Sequence, residues 1–294
     1  MVMKRAFEIE DMRCAYAGSG EKVVLHIRHL VIHKGETVFF VGPSGIGKST
    51  ILEAMGMMNR TVLPGCGRFE YMGMDMRDWW QLGDRQQSEF RSREFSFIFQ
   101  SNNLMNNFTA WENVKSTALF QGMTEDESES MKEQVFTSID ITDPEKWDAP
   151  VTNLSGGQRQ RLAFARAVMP RFNVLFGDEP TGNLDSQTAR TLMGRLRDIL
   201  KRKGDATAII VSHDMDLATS YADRIVRFHK VERGYSGPVG SEADTYGYID
   251  AGSFYLRIGE DEWREEATGT VCSRQGLCDK LRDHMTDIRK EDEL

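Results

Sequence analysis

Residues 37–49 read TVFFVGPSGIGKS, and no other stretch restricts the possible folds as strongly. TVFFV is a continuous apolar run of strand length, the pattern of a strand buried on both faces of a parallel sheet. It leads directly into GPSGIGKS and then into the helical stretch STILEAMGMM. The loop fits G-x-x-x-x-G-K-[ST] with a strand before it and a helix after it, the context that gives the pattern its meaning. Its glycines let the backbone wrap so that successive N–H groups point inward at phosphate oxygens. The helix start near Lys48 adds its positive end, roughly half an elementary charge. Lys48 is expected to reach the β- and γ-phosphates of a bound nucleotide, and Ser49 to ligate Mg²⁺.

The rest of the chain supplies the strands and helices that such a cradle needs. FSFIFQ, NVLFGDE and TAIIVSHD are further buried-strand candidates, and helical patterns separate them, such as SQTARTLMGRLRDILKRKG, which stops at Gly204. This alternation predicts an α/β sheet. Ahead of the cradle, residues 7–33 alternate apolar and polar in β-like runs, with a turn at Ala17-Gly18-Ser19-Gly20. Between about residues 108 and 169 no strand is evident, and amphipathic stretches predict a helical insertion.

Past Arg227 the alternation ends, and the charge changes too. Residues 231–294 hold 15 acidic and 8 basic side chains, a net of −7 in a chain whose total is −8, so residues 1–230 stand at −1. Two pieces are expected: 1–230, and a C-terminal extension, 231–294, that is either a separate small module or a strap packed on its own domain. Within the extension GYIDAGSFYLRIG suggests a hairpin, and Leu277, Leu281, Met285 and Ile288 line one face of a possible helix.

No run approaches the roughly 20 apolar residues of a membrane span. The start, MVMKRAFEIEDMRC, turns acidic without a long apolar stretch, so a cytoplasmic chain without a signal peptide is expected. The ending EDEL has the form of an ER-retention tail and, with no secretory signal, is read as chance. Cys14, Cys66, Cys272 and Cys278 are scattered without a CxxC pair, as free thiols of a reducing compartment. A net charge of −8 leaves no electrostatic footprint for wholesale nucleic-acid binding.

NVLFGDE ends in Asp178 and Glu179, where ligands of such sheets gather. Neighbours on a strand face opposite ways, but at its end the second can turn into the site. Asp178 is placed to hold Mg²⁺ directly or through water, and Glu179 to orient or deprotonate an attacking water. NLSGGQRQR, residues 153–161, then presents a second Ser-Gly-Gly at a helix start, although one nucleotide needs only one cradle. Ser155 alone would cap that helix, and capping needs no Gly-Gly.

Over about residues 7–227 these segments resemble, in order, the ABC-type ATPases. The resemblance implies an α/β fold: a P-loop NTPase (RecA-like) core with an N-terminal antiparallel β part and a helical subdomain, followed here by the small extension. GPSGIGKST is similar to the Walker A motif, so Gly42, Pro43, Ser44, Gly45, Ile46, Gly47, Lys48, Ser49 and Thr50 would bind ATP. Tyr16 is placed like the aromatic that stacks on adenine. VLFGDE resembles Walker B, and Gln100 the Q-loop glutamine that senses Mg²⁺, water and the membrane partner. LSGGQ is the family signature, NLD at Asn183, Leu184 and Asp185 its D-loop, and His213 its switch histidine. The resemblance implies a Mg²⁺-dependent ATPase with Glu179, His213, Gln100 and Lys48 as catalytic residues and Ser49, Gln100 and Asp178 as metal ligands. It also answers the question of the second cradle: in this family two nucleotide domains pair head to tail. Ser155, Gly156, Gly157 and Gln158 would close over ATP held by the partner, their N–H groups on its γ-phosphate.

Other residues suit packing better than ligation. His26, His29 and His33 fit one strand face, with no Cys or carboxylate spacing for a metal. Met55, Met57 and Met58 read as core filler behind the cradle, and Trp79-Trp80 is a candidate docking patch.

FQSNNLMNNFTAWENV and DEPTGNLD are similar to the branch that holds the LolD/MacB-like and FtsE-like ATPases. That implies an FtsX/MacB-like integral-membrane permease as partner, a homodimer or paired nucleotide-binding domain, no nucleic acid, and a place on the inner face of the membrane through the permease. Two roles fit the branch: a transporter subunit, or the ATPase of a permease-like complex that transmits force without moving cargo. A soluble repair or translation ATPase fits poorly. Repair members part cradle and signature by a long coiled coil, where only about 100 residues intervene here, and translation members carry two such domains in one chain.

Overall fold

The computed structural model describes residues 4–16, 22–204, 206–232 and 245–290. The turn expected at 17–20 and the EDEL ending lie outside them. The chain divides into two compact units, Met1–Gly83 with Val211–Leu294, and Asp84–Ile210.

The first unit opens with β1 (Arg5–Ala15) and β2 (Val23–His33), antiparallel, with Phe7 opposite Ile32 and Met12 opposite Ile27. The strand β3 (Thr37–Val41) is buried at every position, as a doubly covered strand must be, and leads through the cradle into α1 (Lys48–Met55). Met55 and Met57 are buried behind the cradle as expected, while Met58 is 47% exposed. β4 (Arg68–Tyr71) pairs antiparallel with β1, and β5 (Met74–Asp75) with β4. Next comes α2 (Met76–Trp80), capped by the Asp75 carboxylate; here Trp80 packs its ring 5.6 Å from Phe69, a contact within the unit. Two of the three histidines of β2 are engaged locally, His26 with Asp11 at 2.8 Å and His33 with Glu36 at 3.1 Å.

The second unit contains α3 (Asp84–Glu94), β6 (Phe95–Ile98), α4 (Ala110–Phe120), α5 (Glu125–Ser138), α6 (Gly156–Val168), β7 (Val174–Asp178), α7 (Ser186–Arg202) and β8 (Thr207–Val211), whose last residue opens the return segment of the first unit. β6 and β7 are parallel neighbours, Phe95 opposite Val174, with β8 on the other side of β7. The stretch 108–169 holds α4, α5, α6 and short 3₁₀ turns. Thr109 with Glu112, Thr124 with Glu127 and Ser155 with Gln158 form capping boxes that start its three helices. Trp111 and Phe136 are buried among them, with Phe136 stacked on Trp147 at 5.2 Å. Gly204, φ 76°, takes the left-handed conformation that follows α7.

Back in the first unit come α8 (Met215–Tyr221), β9 (Arg224–Arg227), β10 (His229–Glu232), β11 (Thr245–Ile249), β12 (Phe254–Arg257), β13 (Glu262–Glu265), β14 (Val271–Ser273), α9 (Arg274–Asp283) and β15 (Ile288–Lys290). β9 runs parallel to β3, Val38 opposite Arg224. The extension supplies strands to both sheets of its unit: β11 runs parallel to β2, and β12 antiparallel to β9. An uncovered strand edge leaves backbone donors and acceptors unpaired, and these additions pair them. GYIDAGSFYLRIG is accordingly not a hairpin. Asp250 accepts from the Gly252 N–H at 2.9 Å and turns the chain, sending β11 and β12 to different sheets. The last helix stops at Asp283 with Leu277 and Leu281 buried, while Ile288 lies in β15 beside β10. The helix gives way to a 3₁₀ turn in which the His284 ring bonds Asp287 at 2.5 Å and the His284 carbonyl accepts from Arg227 at 3.0 Å.

The four cysteines are unbridged, and burial pushes the Cys14 thiol up to about 12. Among the described residues no helix is long and apolar enough to cross a membrane.

Candidate functional site

In the first unit the cradle follows β3 and is shaped by its glycines. Gly42 approaches the link between β9 and β10 so closely that a Cβ there would lie 2.9 Å from Phe228 Cβ and 3.0 Å from its carbonyl oxygen. Gly45 and Gly47 adopt φ of 74° and 92°, the left-handed region that side chains resist, and Gly47 is the N-cap of α1. Gly47 has no side chain with which to cap α1, and a helix start of that kind suits an anion. The buried Lys48 curls over this loop and donates from Nζ to the carbonyls of Gly42, at 2.8 Å, and Pro43, at 2.5 Å. Ser44 and Gly45 are exposed, Ile46 is buried, and Ser49 is half-buried.

Tyr16, at the end of β1, stands beside the cradle, 49% exposed, with its hydroxyl 2.7 Å from Thr50 Oγ1. His213 is exposed directly after β8, and its neighbour Ser212 donates its N–H to the Phe40 carbonyl at 3.2 Å, next to the cradle strand. Asp214 caps α8 through the Leu217 N–H at 3.0 Å, which fixes the turn carrying His213. The structure therefore brings the cradle, Tyr16 and the His213 turn together within one unit.

The second unit carries the other expected residues. Gln100 is exposed just beyond β6. Asp178 ends β7, and Glu179 takes φ 50°, a left-handed conformation unusual for a residue with a side chain. The regular strand ends there, and the Glu179 carbonyl accepts from the Gly182 N–H at 3.1 Å to close the turn. Asp185 caps α7. The Thr188 hydroxyl, at 2.6 Å, and backbone N–H groups hold its carboxyl below the usual carboxylate range. Ser155 caps α6 and accepts from the Gln158 N–H at 3.2 Å, while Gln158 accepts from the Ser155 N–H at 3.0 Å. Beyond this box, the fold makes no demand for Gly156 or Gly157. A Cβ on Gly156 would meet nothing within 4 Å, and one on Gly157 only Leu184 Cδ2 at 3.7 Å and Arg161 Nη1 at 3.9 Å.

Two residues of α6 that sequence reasoning missed tie the functional segments of this unit together. Gln160, 1% exposed, donates from Nε2 to the Pro180 carbonyl at 2.7 Å and so links the signature helix to the Asp178-Glu179 turn. Arg166 donates to the carbonyls of Asn103, at 2.6 Å, and Asn102, at 2.7 Å, just beyond Gln100, and burial lowers its guanidinium pKa. In sequence both look like the polar face of an amphipathic helix, and only their distant partners set them apart. Arg166 also borders a groove of about 660 Å³ lined by Phe97, Phe99, Met105, Phe120 and Gln121. Phe120 there is 84% exposed, and Phe97 stacks on Phe99 at 5.6 Å.

The sequence matches the family described as ABC transporter over residues 25–182. It is 36% identical over 220 residues to the lipoprotein-releasing system ATP-binding protein LolD of Nitratidesulfovibrio vulgaris, covering 74% of this chain and 91% of that protein. It is also 36% identical over 238 residues to the macrolide export ATP-binding/permease protein MacB of an Azoarcus species, covering 79% of this chain but only 34% of MacB. The dimeric structure of MJ0796, a bacterial ABC transporter cassette, superposes with a TM-score of 0.64 at 27% identity, over 75% of this chain and 93% of that one. A dimeric post-hydrolysis state of the same cassette, bound to ADP and Pi, gives 0.63 at 25% identity, with the same coverage.

Proposed function

The chain belongs to the ABC transporter family, and from that premise we propose that it is the ATP-hydrolysing subunit that pairs with a second cassette around two ATP molecules and drives a separate membrane permease. One observation carries the reading: Gly156 and Gly157 open a capped helix whose own fold leaves open space above Gly156 and only ordinary van der Waals contacts above Gly157. Glycines that nothing inside the chain requires suit close approach from outside, and the exposed helix start suits a phosphate.

In this reading the cradle from Gly42 to Thr50 holds the β- and γ-phosphates, and Lys48 leaves the Gly42 and Pro43 carbonyls for phosphate oxygens. Tyr16 lies under the base. Glu179 accepts a proton from the attacking water as the bond between the γ-phosphorus and the bridging oxygen breaks, leaving ADP and phosphate. His213 and Gln100 position water and γ-phosphate, and Asp185 orders the turn that meets the partner cassette. The Ser49 hydroxyl, the Asp178 carboxylate and the Gln100 amide carbonyl are hard oxygen donors of the kind Mg²⁺ takes. When bound, Mg²⁺ supplies charge that offsets the phosphates.

The groove around Phe120 suits an apolar segment of the permease, and its bond through Arg166 to the loop after Gln100 gives that segment a route to the site. The protein then sits on the inner face of the membrane through its partner. Wild-type protein should hydrolyse ATP, and Lys48→Ala should bind it weakly and not turn it over, because the charge that matches the β- and γ-phosphates is gone. Wild-type turnover by folded Lys48→Ala would contradict the assignment.

A further inference from the structure

We infer that Gly247, in the C-terminal extension, is a positioning residue for the nucleotide: its strand lies against the cradle and sets where the cradle sits. The inference rests on the reading of residues 42–50 as the ATP site.

β11 adds to β2 in parallel register, Gly247 opposite Leu25, Tyr248 opposite His26 and Ile249 opposite Ile27. At Gly247 this strand meets the cradle. A Cβ there would lie 2.0 Å from the Ile46 carbonyl oxygen, 2.8 Å from Ile46 Cγ1 and 3.0 Å from Leu25 Cδ1. The cradle presses on the same neighbour from its own side. A Cβ on Gly47 would lie 3.0 Å from Leu25 Cβ and 3.2 Å from the Val24 carbonyl oxygen. Backbone thus packs on backbone where Gly247 meets Ile46, and a side chain at Gly47 would press on Leu25 and the Val24 carbonyl.

Ile46 is the buried residue between Gly45 and Gly47, both left-handed. Two adjacent glycines give this part of the loop wide conformational freedom, so contacts from outside it decide its position. β11 is well held for that purpose. It pairs with β10 on its other side, and Tyr246 and Tyr248 form a buried cluster with Val231 and Val23. The Tyr248 ring also meets the His26 ring edge-on at 5.5 Å. Gly247 itself has no left-handed backbone that would call for glycine. Glycine weakens a strand interior, whereas valine favours one. The space taken by Ile46 accounts for the glycine, and the loop whose N–H groups must face phosphate oxygens is what it accommodates.

The test uses full-length Gly247→Ala and Gly247→Val, titrated with a fluorescent ATP analogue and checked by circular dichroism. Affinity should fall about tenfold or more for alanine, since misplacing a binding group by a fraction of an ångström to an ångström is costly. It should fall further for valine. Strand propensity alone predicts the opposite order, so the ranking separates positioning from strand stability. Wild-type affinity in a folded Gly247→Ala, with Lys48→Ala losing affinity in parallel, would overturn this inference and leave the cradle reading standing. Wild-type affinity in Lys48→Ala would overturn the cradle reading itself. If the Gly247 variants do not fold, hydrogen exchange on the wild-type chain decides. ATP should slow exchange at the amides of residues 245–249, and unchanged exchange there would refute the coupling.

Discussion

Replacing Arg166 with methionine keeps an apolar stem at this position of α6 but removes the guanidinium that grips the loop after Gln100. Two charge-assisted bonds disappear, to the Asn103 carbonyl at 2.6 Å and the Asn102 carbonyl at 2.7 Å. A hydrogen bond to a charged group contributes about 1.5–3 kcal/mol. The two do not count equally. The Asn103 bond lies on the exposed side, where water replaces it, while the Asn102 bond is partly buried. Part of its value also returns, because the buried guanidinium no longer has to be desolvated. A net loss of about 2 kcal/mol follows, or a fall in melting temperature of about 4–8 °C. The loop is poised to relax once released. Asn102 and Asn103 stand at φ 61° and 46°, conformations that cost each of them roughly 1 kcal/mol. Thermal melting should show the destabilisation, and hydrogen exchange should locate it, with faster exchange at residues 100–105. In an ATPase assay turnover should fall with little change in KM for ATP, since nothing bonded to Arg166 belongs to the cradle. A melting temperature within about 1 °C of wild type, together with unchanged exchange at 100–105, would refute the argument.

His229, 3% exposed, titrates at about 4, mainly because burial penalises its charged form, with Arg289 and Arg227 adding to the effect. An unfolded histidine titrates near 6.5, so the unfolded chain binds more protons between these values. The stability this group contributes is full above pH 6.5 and is lost as the pH falls toward 4. His229→Gln should flatten the pH dependence of the melting temperature in that window, and an unchanged slope would count against it. Phe120→Asp should leave folding and basal ATP turnover near wild type while abolishing co-purification with the permease, because it puts a charge into an apolar groove. Retained co-purification would move the docking surface elsewhere.

The elements that are legible in sequence are those set by local pattern. The apolar run TVFFV is a strand buried at every position, and the stop at Gly204 follows α7. The start of α6 at Ser155-Gly156 is equally visible, because Ser155 and Gln158 sit at capping-box spacing. What pattern does not carry is pairing between segments far apart in the chain. The apolar spacing of Leu277, Leu281, Met285 and Ile288 reads as one helix, yet the bond between His284 and Asp287 accompanies a turn and Ile288 joins β15. The extension reads as a break in charge and alternation, although its strands complete two sheets whose edges only the fold reveals. The same limit hides site residues. Gln160 and Arg166 are polar residues on an amphipathic helix until their carbonyl partners, Pro180, Asn102 and Asn103, are seen. Gly247 is an ordinary tail glycine until Ile46 is found 2.0 Å from where its Cβ would stand.

Glu179→Gln tests the central claim most directly, because it separates nucleotide binding from chemistry and exposes the pairing of two cassettes. Glutamine keeps the size and most of the hydrogen bonding of glutamate but cannot accept a proton from water, so hydrolysis should slow by roughly 10²–10⁴-fold. The cradle is untouched and ATP should still bind. With ATP bound and not consumed, each Ser155-Gly156-Gly157 helix start stays engaged on the nucleotide of its neighbour. Light scattering on a sizing column should then show Glu179→Gln as a dimer with ATP and a monomer without it. Adding Ser155→Arg should abolish the dimer while leaving nucleotide binding in place. A Glu179→Gln protein that binds ATP and stays monomeric at high concentration, or a dimer indifferent to Ser155→Arg, would contradict the account.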